Sequence, residues 1–172
     1  HSYSSAASDV YKRQMPNPLS VYGKSKLKGE EHVQESCDRH FIVRTSWLYS
    51  EYGNNFVKKM LRLAETRKQI SVVNDQIGSP TYAGDLAEFI LKVISSESTA
   101  YGLYHYSNLG AISWYDFAVE IFRQHQKNVH VVPIPTRAYP TLANRPAFSV
   151  MDLSRVKIIF GSTIPLWKHR AI

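Results

Sequence analysis

Phe41-Ile42-Val43-Arg44-Thr45 is a short run rich in β-branched and aromatic residues, the make-up of a buried strand. Just upstream, residues 24–39 are dominated by strong helix formers, with Gly29 the one weak position. Just downstream, residues 54–68 place Phe56, Val57, Met60, Leu61 and Ala64 on one face of a helix. The same alternation continues outward. Residues 70–73 and 103–106 are strand candidates, and residues 83–96 form a helix between them. Ser113 suits the N-cap of a helix over 114–125, with Asp116 in its first turn. Residues 129–134 are extended, and prolines interrupt the segment that follows. In the other direction, Pro16 and Pro18 form a loop before the first helix. Alternating helices and strands predict an α/β protein with a mainly parallel sheet. A nucleotide-binding fold of this class opens with a strand, a Gly-rich turn and a helix. No G-x-G-x-x-G or related turn occurs here, so the alternation is expected to start partway through such a fold.

Composition narrows the function classes. Lys and Arg number 21 against 14 Asp and Glu, a formal charge of +7. The cations are scattered and show no zinc spacing, helix-turn-helix or aromatic-interleaved basic ribbon, so nucleic acid is not the expected partner. Dispersed cations suit a small anionic ligand such as a nucleotide diphosphate. No apolar run reaches the roughly 20 residues of a membrane span. No secretory leader pattern is visible, so a membrane-free cytoplasmic setting is expected. Cys37 is the only cysteine and reads as a small, half-buried helix residue. Residues 1–14, rich in Ser, Ala and Tyr, read as a lead-in unrelated to the fold, and residues 15–172 as the functional portion.

The chemistry concentrates in Tyr22-Gly23-Lys24-Ser25-Lys26. Tyr22 and Lys26 stand four apart at a helix start, so their side chains share a face. A free phenol titrates near about 10, too high for efficient proton exchange at neutral pH. A nearby ammonium favours the ionised phenol, which makes such a pair suited to donating a proton to a carbonyl as hydride arrives. The spacing alone also fits an ordinary surface pair. The wider pattern Pro18-x-x-x-Tyr22-Gly23-x-Ser25-Lys26-x-x-Gly29-Glu30 resembles the active-site helix of extended short-chain dehydrogenases/reductases. Later stretches resemble the dTDP-4-dehydrorhamnose reductase family in particular. They are Arg44-Thr45-Ser46-Trp47-Leu48-Tyr49, Asn55-Phe56 with Met60-Leu61, and Val73-x-Asp75-Gln76-x-Gly78-Ser79-Pro80-Thr81. Gly102-Leu103-Tyr104-His105, Ser113-Trp114-Tyr115-Asp116-Phe117-Ala118, and Arg145-Pro146 with Ser149 and Asp152 follow in order.

The resemblance implies the C-terminal part of a Rossmann-like, doubly wound NAD(P)-binding domain joined to a smaller α/β substrate-binding domain. It implies reduction of the 4-keto group of dTDP-4-dehydro-L-rhamnose by NADPH or NADH. Tyr22 would donate the proton, and Lys26 would support it and anchor the cofactor ribose. The cofactor-binding half and a third catalytic Ser or Thr are expected upstream, which predicts that the chain is inactive by itself. The resemblance also implies a homodimer, with Mg2+ at its contact in some members. A related scaffold serves as the regulatory subunit of methionine adenosyltransferase, so a non-catalytic binding protein is the alternative.

Thr45, Ser46 and Trp47 follow a strand at the end where parallel sheets bind ligands. By the resemblance Thr45 and Ser46 border the cofactor and Trp47 stacks on the sugar; a packing role is the competing reading for Trp47. Asn55 suits either a phosphate-binding helix start or a plain cap. Asp75, Gln76 and Thr81 occupy a polar loop and suit either turns or a nucleotide pocket, to which Gln76 and Thr81 are assigned. Arg145 has the fork geometry for a pyrophosphate. Trp114, Tyr115 and Phe117 read as core, His105 as a strand residue, and no protein-built metal site is expected.

Overall fold

In a computed structural model, residues 16–18, 20–141 and 145–170 are described. The expected lead-in, residues 1–14, lies outside them. The chain divides into two compact units, His1–Cys37 and Asp38–Ile172.

The first unit holds helix α1 (Val21–Ser36). It starts three residues before the expected 24, because Ser20 takes an extended conformation and its hydroxyl accepts the Gly23 N–H at 3.0 Å. It also ends before the expected 39, because Cys37 turns extended (φ −154°). Cys37 is therefore the exposed C-cap and not a half-buried helix residue.

The second unit carries the expected α/β alternation. Its elements are β1 (Phe41–Arg44), β2 (Leu48–Tyr49), α2 (Phe56–Thr66), β3 (Gln69–Val73), β4 (Ile77–Gly78), β5 (Thr81–Tyr82) and α3 (Ala83–Ser95). After them come β6 (Gly102–His105), β7 (Ile112–Ser113), α4 (Trp114–Gln124), β8 (His130–Ile134) and α5 (Ser154–Phe160). Among the described residues the strands pair two by two and do not form one sheet: β1 with β6, β2 with β5 and β3 with β8 in parallel, and β4 with β7 antiparallel. The two-residue strands and α5 carry too little periodicity to be read from sequence.

Two cores explain the split. The first is built on β3, where Ile70 and Val72 meet Val57 and Met60 of α2 and Phe117, Ala118, Ile121 and Phe122 of α4. The α4 residues repeat at the i, i+1, i+4, i+5 spacing that makes one apolar stripe. Its start is fixed by a capping box: the Ser113 hydroxyl accepts the Asp116 N–H, and the Asp116 carboxylate accepts the Ser113 N–H. The second core packs Phe89 and Val93 of α3, Tyr104 of β6 and Val156 and Phe160 of α5.

The C-terminal residues strap the cores together. Leu109 N–H donates to the Pro165 carbonyl at 2.9 Å, and Trp167 N–H donates to the Leu109 carbonyl at 3.1 Å. Ile164 then sits in the second core and Trp167 in the first. Gly110 permits this, since a Cβ there would lie 2.5 Å from the Trp167 ring and its φ is +113°.

Candidate active site

In the first unit, Tyr22 lies in the first turn of α1 and is exposed. The Lys26 ammonium stands 5.4 Å from the centre of its ring, as the four-residue spacing requires. The Ser25 hydroxyl donates to the Tyr22 carbonyl at 2.8 Å, so it is spent on the helix backbone.

In the second unit, the loop after β1 is locked tightly. Trp47 has φ +47°, a left-handed conformation that a bulky residue rarely adopts. Three hydrogen bonds hold it. The Ser46 hydroxyl donates to the Ser79 carbonyl at 2.9 Å, the Thr81 hydroxyl to the Ser46 carbonyl at 2.7 Å, and the Thr81 N–H to the Trp47 carbonyl at 3.1 Å. The Trp47 indole stacks on Trp114 with ring centres 3.5 Å apart and planes 11° apart. Strain of this kind costs about 1–3 kcal/mol. Three hydrogen bonds at about 1 kcal/mol each, with a stack worth about 0.5–1.5 kcal/mol, exceed it.

The stacked indoles open onto a cavity of about 910 Å³. Its wall includes Trp47, Asn55, Phe56, Gln76, Trp114, Tyr139 and Thr141, with Lys59, Arg67 and Arg145 bringing positive charge. No carboxylate is among its described lining residues. Aromatic faces beside unopposed cations suit a flat ring attached to an anionic group.

The other walls are set by local hydrogen bonds. Asn55 caps α2: its carbonyl oxygen accepts the Lys58 N–H at 3.1 Å and its amide donates to the Ser50 carbonyl at 2.7 Å. The cap reading of Asn55 therefore holds, and its side chain reaches the cavity already engaged. Gln76 is buried and donates to the Thr136 hydroxyl at 3.1 Å, and that hydroxyl donates to Asp75 at 2.6 Å. Hydrogen bonds from the Thr136 hydroxyl and N–H hold the Asp75 carboxyl below its ordinary range. Asp75 thus braces the turn that carries Ala138 and Tyr139 to the rim. Ile77 N–H donates to the Ala147 carbonyl, and Ser149 N–H donates to the Ile77 carbonyl, both at 2.8 Å. Those bonds bring the neighbouring Arg145 to the cavity.

Of the residues expected to bind substrate, Trp47, Asn55, Gln76 and Arg145 share this wall. Thr81 does not: it is fully buried and spends its hydroxyl on the loop backbone. Thr45 and Ser46 belong to the loop itself and lie outside the cavity wall, Thr45 exposed with its hydroxyl 3.3 Å from the Thr81 hydroxyl. Trp114, expected as core, also faces the cavity. Its position on the apolar stripe of α4 hid that role. Lys59 and Arg67 were not anticipated, since an exposed cation on a helix or at its C-cap carries no distinguishing sequence signal.

The RmlD substrate binding domain family matches residues 4–171. A dTDP-4-dehydrorhamnose reductase of Aggregatibacter actinomycetemcomitans is 47% identical over 163 residues, 89% of this chain and 55% of that protein. The crystal structure of a Bacillus anthracis dTDP-4-dehydrorhamnose reductase in complex with NADP superposes with a TM-score of 0.85. It is 45% identical, over 91% of this chain and 54% of that one. A Clostridium acetobutylicum dTDP-4-dehydrorhamnose reductase structure gives a TM-score of 0.86 and 44% identity, over 91% of this chain and 55% of that one. The chain spans about half the length of the curated relatives it matches.

Proposed function

The chain belongs to the RmlD substrate binding domain family, and on that premise we propose that it forms the substrate side of an NADPH-dependent reductase acting on dTDP-4-dehydro-L-rhamnose. The observation that carries this reading is the cavity lined by the stacked Trp47 and Trp114 and by Lys59, Arg67 and Arg145, with no carboxylate among its described lining residues. A thymidine diphosphate sugar presents that combination: flat base, pyranose ring and two linked phosphates. The three cations draw in and neutralise the diphosphate. The aromatic walls exclude water from the ring they contact.

Tyr22 and Lys26 fit the ribose end of a nicotinamide dinucleotide, with a phenol and an ammonium exposed on one helix face. When bound, the cofactor supplies the hydride. Tyr22 holds the proton that passes to the 4-keto oxygen, and Lys26 stabilises the phenolate left behind and reaches the ribose hydroxyls. Thr45 and Ser46 border the cofactor in this reading. It prefers NADPH, in line with the NADP bound by the Bacillus anthracis relative, and assigns the phosphate cradle to the half of the relatives that this chain does not span. It also takes the enzyme as a cytoplasmic homodimer. Among the described residues no group of three His, Cys, Asp or Glu side chains could hold a metal.

The test is turnover. Joined to the cofactor-binding half of a family member, the chain oxidises NADPH when given dTDP-4-dehydro-L-rhamnose. A well-folded fusion that binds NADPH and shows no such oxidation overturns the reading.

A further inference from the structure

Helix α3 begins as α4 does, with an acidic residue at the third helical position, yet Asp85 does not close the capping box that Asp116 closes. Asp85 is 3% exposed and turns elsewhere. Its carboxylate accepts Arg170 Nε at 2.8 Å on Oδ2 and pairs with Arg170 Nη2 at 2.5 Å on Oδ1. It also accepts the Asn108 amide at 2.5 Å. Asn108, almost wholly buried, takes over the cap: its Oδ1 accepts the N–H of Tyr82, the N-cap residue, at 2.7 Å. The amide can face only this way, because the flipped form would set an oxygen against the carboxylate and an N–H against an N–H. Asn108 and Arg170 have in effect been inserted into an opened capping box.

Tyr82 and Thr81 are the two residues of β5, and Thr81 is the residue that holds the left-handed Trp47. We infer that Arg170, Asp85 and Asn108 form a positioning network that sets the Trp47 indole against Trp114 from outside the cavity. The C-terminal strap supplies Arg170, and the guanidinium fixes the carboxylate. The carboxylate orients the Asn108 amide, which pins the Tyr82 N–H and with it the register of β5 on β2. No member of the network lines the cavity. The consequence for ligand binding rests on the function proposed above, whereas the consequence for the indole pair does not.

Two indoles stacked this closely couple their electronic transitions and are expected to give a far-ultraviolet circular-dichroism couplet, which Trp47→Phe abolishes and so assigns; a wild type whose spectrum does not differ from that of Trp47→Phe overturns the proposal. Asn108→Ala keeps the ion pair and cuts the link to Tyr82. The variant is expected to melt cooperatively, to lose most of the couplet without ligand, and to bind dTDP about tenfold more weakly, or about 1.4 kcal/mol. Val156→Ala, which opens the second core without removing any hydrogen bond of the network, is expected to lower the melting temperature and keep the couplet. A folded Asn108→Ala with the full couplet overturns the network, and so does a Val156→Ala that loses it in the same proportion. If Asn108→Ala does not fold, Arg170→Lys decides: it keeps the charge and loses the fork, and an undiminished couplet overturns the proposal. A wild-type chain that fails to bind dTDP sinks the functional reading instead, and the couplet still decides the positioning.

Discussion

Gly78→Ala asks whether the Trp47 ring is held as firmly as its surroundings imply. The added methyl would lie 2.4 Å from Trp47 Cε2, 2.6 Å from Cζ2 and 2.7 Å from Ser149 Oγ. Carbon atoms rest about 3.5–4.0 Å apart, so the ring or the strand must shift by about 1 Å. The strand is pinned: β4 pairs with β7, and Ile77 exchanges two hydrogen bonds with residues 147 and 149. The ring is limited by Trp114, already at stacking distance. Overpacking of this kind costs about 1–3 kcal/mol, and rigid surroundings on both sides point to the upper end. Alanine narrows the unfolded ensemble and returns about 0.4–1 kcal/mol. The net loss is about 2 kcal/mol, which in a domain of this size lowers Tm by about 4–8 °C. Thermal melts followed by circular dichroism measure both Tm and the indole couplet. A variant with wild-type Tm and an intact couplet would refute the reasoning, because it would show that the ring yields freely.

Three further outcomes follow from particular residues. Gly29→Ala meets no atom within 4 Å in the middle of α1, so it raises helix stability by about 0.5–1 kcal/mol; a fall in helical signal on heating at the wild-type temperature would contradict this. Glu120, gripped by Arg123 at 2.8 and 2.6 Å, has its carboxyl lowered from 4.5 to about 2, chiefly by those hydrogen bonds. A carboxyl depressed on folding contributes stability that is complete above about 4.5 and is lost as pH falls through about 2. Because Arg123 is largely exposed, that contribution is about 1 kcal/mol, and acid titration of wild type against Glu120→Gln should show the difference closing across that window. In the fusion enzyme, Tyr22→Phe lowers kcat by about 10²–10⁴-fold with dTDP affinity unchanged; a parallel loss of nucleotide binding would remove Tyr22 from the proton-donor role.

Periodicity made the long elements legible. The apolar stripes of α2 and α4, the Ser113 cap and the strand at residues 41–44 all follow from local pattern. The site was legible where a side chain's chemistry is unusual for its place, as with Trp47 and Gln76 at the ends of strands. It was not legible where function borrows from structure. Thr81 sits in the same polar loop as Gln76, and only the fold shows one buried under the loop backbone and the other on the cavity wall. Trp114 obeys the helical stripe so well that sequence gives no reason to look beyond packing. Asn55 has the opposite fault, since a helix cap and an anion site share the same residue at the same position.

The positive charge makes the same point. As a sum, +7 says little, because arginines serve two purposes here. Arg123 is spent on Glu120, Arg170 on Asp85, and Arg155 on the carbonyls of Tyr101 and Leu103 while lying 4.1 Å over the Tyr104 ring. Each of these fixes backbone or core and offers little to a ligand. Lys59 and Arg67 come from α2 and its C-cap and Arg145 from a distant segment, and none has a carboxylate partner among the described residues. They meet only because α2, its C-cap and the segment after β8 converge on one cavity. Unopposed charge gathered beside aromatic faces attracts an anion with a flat ring, whereas the same three cations spread over a surface would only raise the isoelectric point. Neutralising any one of the three should therefore weaken dTDP binding and leave Tm nearly unchanged, while neutralising Arg170 should lower Tm first.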